Sequence, residues 1–433
     1  MARRTRIRGW AKPAAGMATV GALAVLPALT GCAETANAAG AKLERFASCA
    51  ALTEYMQRNA LENLGPYGFT GSVGGVTAQM DGLAVEGSGG SPAAPTAARE
   101  ATKTPGSDFS TTNVQEAGVD EPDIVKTDGE RIFAIAKNRL YAIDVSGPAP
   151  RISGSIAMPK DAFAREMLIS GNRLLVMADG PVSVRPLPAP GGVEPSAATR
   201  VAPASVAAFG GSLLIRVDVT DPAAMTVTET METEARYVNA RLTGTTARVV
   251  IAGGAPTGIA FSYPTVPGPE AEAAAVRANR NALARTTSDD WLPRFTIRAP
   301  EGATAPRSAV ACDAVSRPPD FAGLGSLTVL TIDMAKGLEP IDSDAVIAGG
   351  ENVYASQQAL YVATNRWVVP NAQGELEGLN TTQIHKFDTS NPAETTYDGS
   401  GSVTGHLLNQ FSMSEHDDRL RVATTTANRS CRS

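Results

Sequence analysis

Four times in this chain an apolar residue followed by aspartate closes a strand-like run: Ile143-Asp144, Val217-Asp218, Ile332-Asp333 and Phe387-Asp388. Small or polar residues come next each time, in "DVSGPAP", "DVTDPAA", "DMAKGLE" and "DTSNPAE". An aspartate at a strand end accepts hydrogen bonds from the backbone just beyond it and so makes a turn. The four aspartates are 74, 115 and 55 residues apart. Two Pro/Gly/Ala-rich insertions, near 181–203 and 256–306, lengthen the first two gaps. Without them the spacing approaches the roughly 40–50 residues of a propeller blade. Residues 140–145 are apolar on both strand faces, as in strands covered by a neighbouring sheet on each side. About eighteen candidate strands follow Asn113, or some four and a half four-stranded blades. The expected fold is all-β: a β-propeller of four-stranded blades, incomplete in this chain, preceded by an N-terminal helix and a linker.

Composition agrees with many short strands and turns. The 433 residues hold 41 Gly and 29 Pro, and only 5% are aromatic. With 43% apolar and 19% charged residues the chain as a whole has the makings of a core. Its net charge is −6, and residues 1–31 contribute five basic residues and no acidic one, so the remainder stands at −11. That acidity argues against nucleic acid as a partner, since phosphate binding needs clustered Lys and Arg.

Residues 1–31 read as an export signal. A basic stretch (Arg3, Arg4, Arg6, Arg8, Lys12) precedes an apolar run over 14–29 that is short for a membrane span. Then comes Leu29-Thr30-Gly31-Cys32, which resembles a bacterial lipobox with Cys32 as the lipid-modified first residue of the mature chain. Two or more acyl chains anchor stably where one does not. The expected location is the extracytoplasmic face of the cell membrane, with the membrane itself a partner through the anchor.

Residues 32–70 are expected to carry the lipidated terminus and a helix over 40–64, where Leu43, Phe46, Ala50, Met56, Ala60 and Leu64 recur near helical spacing before Gly65-Pro66. Residues 71–110 are Gly-, Ser-, Ala- and Pro-rich and read as a flexible linker. Residues 111–433 form the propeller region. A second helix is expected in "GPEAEAAAVRANRNALARTTSDDWLP". If Cys32 carries lipid, a disulfide between Cys49 and Cys312 would fasten the first helix to the body. Pairing of either with Cys431, or a buried free thiol, are the alternatives.

The propeller region opens with "TTNVQEAGVDEPDIVKTDGERIFAI", residues 111–135, which holds six carboxylates between Glu116 and Glu130. A calcium loop of the helix-loop-helix type fails here, because counting back from Gly129 puts Ile124 at the first ligand position. The local pattern is a short strand, an Asp128-Gly129 turn and a returning strand. Asp120, Asp123 and Asp128 remain a candidate cation site, with calcium as its ion. No other cofactor is expected.

This stretch resembles the entry motif of a bacterial family of secreted and lipid-anchored proteins whose C-terminal β-propeller is distantly related to WD40 repeats. The likeness continues through "TTSDDWLPRF", "CDAVSRPPDFAGLGSLTVLTIDM", "VYASQQALYVATNRW" and "HLLNQFSMSEHDDRLRVATTT". The resemblance implies a propeller fold and brings no assigned activity. In the family further blades follow the "LRVATTT" strand, so the resemblance implies a truncated gene product, or a ring closed by another chain or by an early strand.

Signatures of nucleotide-binding loops, zinc proteases, serine hydrolases and serine-lysine enzymes are absent. The three histidines, His385, His406 and His416, bring no matched zinc ligand set. No catalytic residue is assigned. The expected function is a binding or scaffolding module at the cell envelope for a protein, peptide or glycan. A propeller hydrolase or lyase acting on envelope polysaccharide or peptide is the alternative, since carboxylate pairs are set in space rather than in sequence.

Overall fold

The computed structural model describes residues 42–69, 114–180, 199–201, 211–256, 258–366 and 380–426, together with the strand Arg3–Arg6. Cys32, Cys431 and the expected linker over 71–110 lie outside the described residues.

Five sheets built on antiparallel meanders follow one another among the described residues; Arg294–Ala299, Gly302–Ala303 and Arg307–Ser308 extend the second to seven strands, and Val315–Arg317, which runs parallel to its neighbour, and Glu44–Arg45 extend the third to six. The first is β1 (Val125–Thr127), β2 (Arg131–Ala136), β3 (Arg139–Asp144) and β4 (Arg151–Ala157). The second runs β5 (Phe163–Ser170), β6 (Arg173–Asp179), β7 (Ser212–Asp218) and β8 (Thr226–Thr233). The third is β9 (Arg236–Thr243), β10 (Thr246–Gly253), β11 (Ser326–Asp333) and β12 (Pro340–Val346). The fourth is β13 (Gly350–Ala355), β14 (Ala359–Arg366), β15 (Thr381–Asp388) and β16 (Thr396–Thr404). The fifth has two strands of this region, β17 (Met413–His416) and β18 (Arg419–Thr424). These are the expected four and a half blades.

The repeated apolar-Asp pair ends the third strand of each of the first four meanders. Asp144, Asp218, Asp333 and Asp388 each accept a hydrogen bond from the backbone N–H two residues on, of Ser146, Thr220, Ala335 and Ser390, at 2.8–3.1 Å. Two residues upstream of each aspartate the pairing with the fourth strand shifts register by one. The extra residue, Ser153 in the first sheet and Thr228 in the second, donates its hydroxyl to the carbonyl of Ala142 or Arg216. A bulge there increases the local twist, and its recurrence gives every blade the same corner.

Alternate residues of each sheet build the cores between blades. Phe133, Ile135 and Leu140 of the first sheet meet Val176 and Ile215 of the second. The other face of the second sheet, with Leu175 and Leu214, meets Val249 and Leu330 of the third. Val250 and Val329 meet Val353 and Val362 of the fourth. Tyr361 and Ile384 of the fourth then meet Met413 and Val422 of the fifth.

Outside the third sheet sits a helical annex. Helix α1 (Cys49–Glu62) begins at Ser48, whose side chain accepts from the Ala51 N–H, and buries Leu52, Tyr55, Met56 and Ala60. Helix α2 (Pro269–Leu283) is the one expected in the second insertion. The first helix is shorter than the expected 40–64, because Glu44–Arg45 is extended and adds a strand to the third sheet's edge beside Val315–Arg317. Residues 42–69 are therefore built into the body rather than standing apart from it. Phe46 and the α1 face pack with Leu283, Trp291 and Ile347. Cys49 and Cys312 are joined, with Sγ atoms 2.00 Å apart. The two insertions also meet each other, where Thr199–Val201 pairs with Ser262–Pro264.

Candidate functional site

The innermost strands β1, β5, β9, β13 and β17 gather around one axis, and the entry segment over 114–124 touches all five. Its backbone bridges β5 through Asp123 and Met167 and β9 through Asp120 and Leu242. The Gln115 side chain donates to the Met413 carbonyl of β17 at 2.8 Å, and Glu116 accepts from the Tyr354 hydroxyl of β13 at 2.6 Å. At Gly118 the chain turns with φ of +82° against the Gln357 side chain, where a Cβ would come within 3.2 Å of it. A side-chain-bearing residue would pay both for the left-handed backbone and for that contact.

The charges on this axle find partners within the chain. Lys126 of β1, 2% exposed, sets its ammonium 2.6 Å from Asp120 Oδ1 and 2.5 Å from the Glu121 carbonyl. Glu121 faces Arg241 of β9 at 3.5 Å. Arg241 is buried, and its guanidinium also donates to Asn239, to the Ala240 and Val353 carbonyls and to Gln410. Burial holds the Arg241 pKa down, against Glu121. Burial likewise pushes the Tyr354 hydroxyl well up, and its bond to Glu116 pushes the same way, so it remains a donor. The Glu415 N–H donates to the same phenol oxygen, which links β17 to β13 and the entry segment.

The three carboxylates of the candidate cation site are not brought together. Asp120 is held by Lys126; Asp123 Oδ1 accepts from the Ile124 N–H at 2.6 Å. Asp128 is the turn residue, accepting from the Glu130 and Arg131 N–H groups and from the Arg131 side chain. Burial works against those bonds at Asp128, and the bonds win, lowering its pKa. Among the described residues no group of three or more His, Cys, Asp and Glu is placed to hold a metal ion. His416 is exposed beside Asp417, and His406 pairs through its backbone with Thr425.

One face of the series stays open among the described residues. Cross-strand register puts Val125, Ala134 and Tyr141 on one face of the first sheet, with Ile132, Ile143 and Ile152. This is the face turned away from the second sheet. No sheet of the series covers it among the described residues; Val125 is 43% and Ile152 65% exposed. The sequence reading had residues 140–145 buried on both sides. Leu140 and Ala142 are buried, whereas Tyr141 and Ile143, on the open face, are only partly so. The outer edge of β18 is paired with the strand Arg3–Arg6.

Arg241, Tyr354 and Gln410 were not singled out from the sequence. Nothing local marks their place in the site, because the partners that tie them into it, Val353 and Gln410 for Arg241 and Glu116 for Tyr354, lie more than a hundred residues away.

Face-to-face sheets in chain order, each presenting its first strand to a shared axis, define the propeller class. A protein-family model of the beta propeller domain matches residues 109–433, and the chain belongs to that family. No curated protein matches the chain. No helix among the described residues is long and apolar enough to cross a membrane.

Proposed function

We propose that this chain is an exported, lipid-anchored propeller that serves as a binding or scaffolding module at the cell envelope. The observation that carries the reading is the uncovered face of the first sheet. Val125, Ile132, Ala134, Tyr141, Ile143 and Ile152 share this face with Thr127, Arg139 and Ser155, and an apolar surface with a few polar groups among it is one that another polypeptide covers better than water does. The axis offers less. The entry segment runs along it, and Asp120, Glu121 and Glu116 are engaged by Lys126, Arg241 and Tyr354. A small substrate at the axis would have to displace part of the chain's own network. The lipobox-like Leu29-Thr30-Gly31-Cys32 supports the envelope address.

Recovery of the epitope-tagged chain from crosslinked membranes, followed by mass spectrometry, tests the reading. A partner recovered by the native chain and lost in Val125→Lys/Ile152→Lys supports it. Cleavage of an envelope glycan or peptide by the purified protein, abolished by Glu121→Gln, overturns it. The address has its own check: Cys32→Ser is expected to move the protein from the membrane to the soluble extracytoplasmic fraction.

A further inference from the structure

The second sheet is wider than the first. The strand Arg294–Ala299, from the second insertion, pairs with the outer edge of β8. A cleft of about 180 Å³ opens where the face turned toward the first sheet outruns its neighbour. Register sets Leu213 opposite Glu232 and Thr230 opposite Arg298 on that face. Leu213, 5% exposed, is the apolar floor, where the core between the two sheets ends. Arg298 grips Glu232 through Nε and Nη2, at 2.6 and 3.1 Å. That engages both carboxylate oxygens and leaves Nη1 uncommitted among the described residues.

The opposite wall is the turn from β4 to β5. The Pro159 carbonyl accepts from the Ala162 N–H, which puts Lys160 and Asp161 at the two corner positions. Asn138, in the β2–β3 turn with φ of +57°, pins this turn on both flanks. Its Nδ2 donates to the Ala162 carbonyl, its Oδ1 accepts from the Ala164 N–H, and its own carbonyl accepts from the Met158 N–H. Asparagine tolerates the left-handed backbone there and supplies the clamp. Lys160 and Asp161 are exposed and border the cleft, and their side chains have no hydrogen-bond or ion-pair partner among the described residues.

The walls therefore offer an ammonium, a carboxylate, one guanidinium nitrogen and the Thr230 hydroxyl, above Leu213 and Pro159. A simple anion would meet Lys160 and Arg298 but also Asp161, and a simple cation would meet the reverse. A neutral sugar gains nothing from either charge. A molecule with both signs on neighbouring atoms and an apolar branch satisfies all of them. We propose that this cleft binds a free α-amino acid with an apolar side chain, its carboxylate on Lys160 and Arg298, its ammonium on Asp161 and its side chain on Leu213 and Pro159. The volume equals about six waters at their share of the liquid. That suits a ligand of leucine's size and is too small for an oligomer. The inference goes beyond the binding-module reading and does not depend on it.

Ligand-observed NMR titration of the full chain carrying Cys32→Ser, with L-leucine as the probe, tests the site. Saturable binding near the millimolar range is expected, since ion pairs at a solvent-facing rim each contribute little. L-leucinamide lacks the carboxylate and N-acetyl-L-leucine lacks the ammonium, and each should bind about fivefold more weakly than leucine. Lys160→Met and Asp161→Asn replace exposed side chains without partners and should leave the denaturation midpoint unchanged. In Lys160→Met the penalty for leucinamide should fall to about twofold, and in Asp161→Asn that for N-acetyl-L-leucine should do the same. No saturable leucine binding, or either blocked form binding as tightly as leucine, overturns the proposal. So does tighter binding of inorganic phosphate or glucose. Penalties untouched by Lys160→Met and Asp161→Asn would place leucine elsewhere on the molecule and sink the site as well.

Discussion

His385 sits in β15 with 1% of its surface exposed, its Nδ1 2.8 Å from Ser400 Oγ, and burial holds its imidazole down at about 4. Asp344 of β12 is 6% exposed and goes the other way. Burial and then Asp342 push it up to about 6 against the pull of Arg45. The signs are opposite. A depressed histidine gives stability that is complete above its open-chain value of 6.5 and is lost as pH falls toward 4. A raised aspartate gives stability that is complete below its open-chain value of 3.8 and is lost as pH rises through 6. Each is worth about 3 kcal/mol at most, so the native chain should change little between pH 4 and 6.5. Asp344→Asn is expected to expose the histidine's slope, with stability falling on acidification. His385→Gln is expected to expose the aspartate's slope, with stability rising. Denaturant midpoints at half-unit pH steps check both, and parallel profiles for the two variants would refute the assignment. The turn aspartates Asp144, Asp218 and Asp388, held low chiefly by hydroxyl and backbone N–H donors beyond the turn, titrate beneath this window. At Lys126 the prediction is an order. Asp120→Ala strands a buried ammonium and should cost about 3 kcal/mol or more. Lys126→Met leaves a carboxylate that solvent reaches and should cost less. Equal losses would mean that the ion pair adds nothing beyond packing.

Among the elements, helix α1 is fastened by one covalent bond and one apolar stripe. The bond joins residues 263 apart in sequence. Replacing both Cys49 and Cys312 by Ser should cost about 2–5 kcal/mol. The loss should appear first as faster amide exchange in α1, while β10 and β11 at the core of the third sheet keep their protection. Unchanged exchange in α1 would show that its packing on Leu283 and Trp291 suffices. These elements also show what sequence makes visible. The Asp-ended third strands were legible because turn chemistry is local: the acceptor and its N–H donor are two residues apart. Helix α2 was legible for the same reason. The bulge beside each Asp was not, since the extra residues Ser153, Thr228, Ile341 and Asp398 share no common chemistry. The buried stripe of α1 was misplaced by the inclusion of Leu43 and Phe46, which are apolar because they meet the body as extended chain. The acidic entry segment was legible as a boundary and illegible as an axle. Glu116 and Gln115 reach across 238 and 298 residues to Tyr354 and Met413, and no spacing within residues 111–135 encodes those distances.

On the scale of the whole molecule, the first four sheets carry apolar residues on both faces, as sheets that lie between two others do, whereas the two-stranded fifth turns Ser414, His416, Arg419 and Arg421 away from the fourth. Four interfaces satisfy that pattern and the outer face of the first sheet does not. The same sheet therefore offers an internal comparison. Phe133, fully buried against the second sheet, and Ile152, 65% exposed on the other face, are both large apolar residues within one four-stranded unit. Phe133→Ala should cost about 3–5 kcal/mol, the loss of a buried ring plus the cavity left behind. Val125→Lys/Ile152→Lys should change stability by about 0.5 kcal/mol or less, as substitutions at exposed positions do. It should also remove most of the fluorescence of a dye that reports exposed apolar surface, and the recovery of a membrane partner with it. A double variant that unfolds as readily as Phe133→Ala would mean that the face is covered within the molecule. The apolar pattern would then serve closure of the ring rather than recognition of another chain.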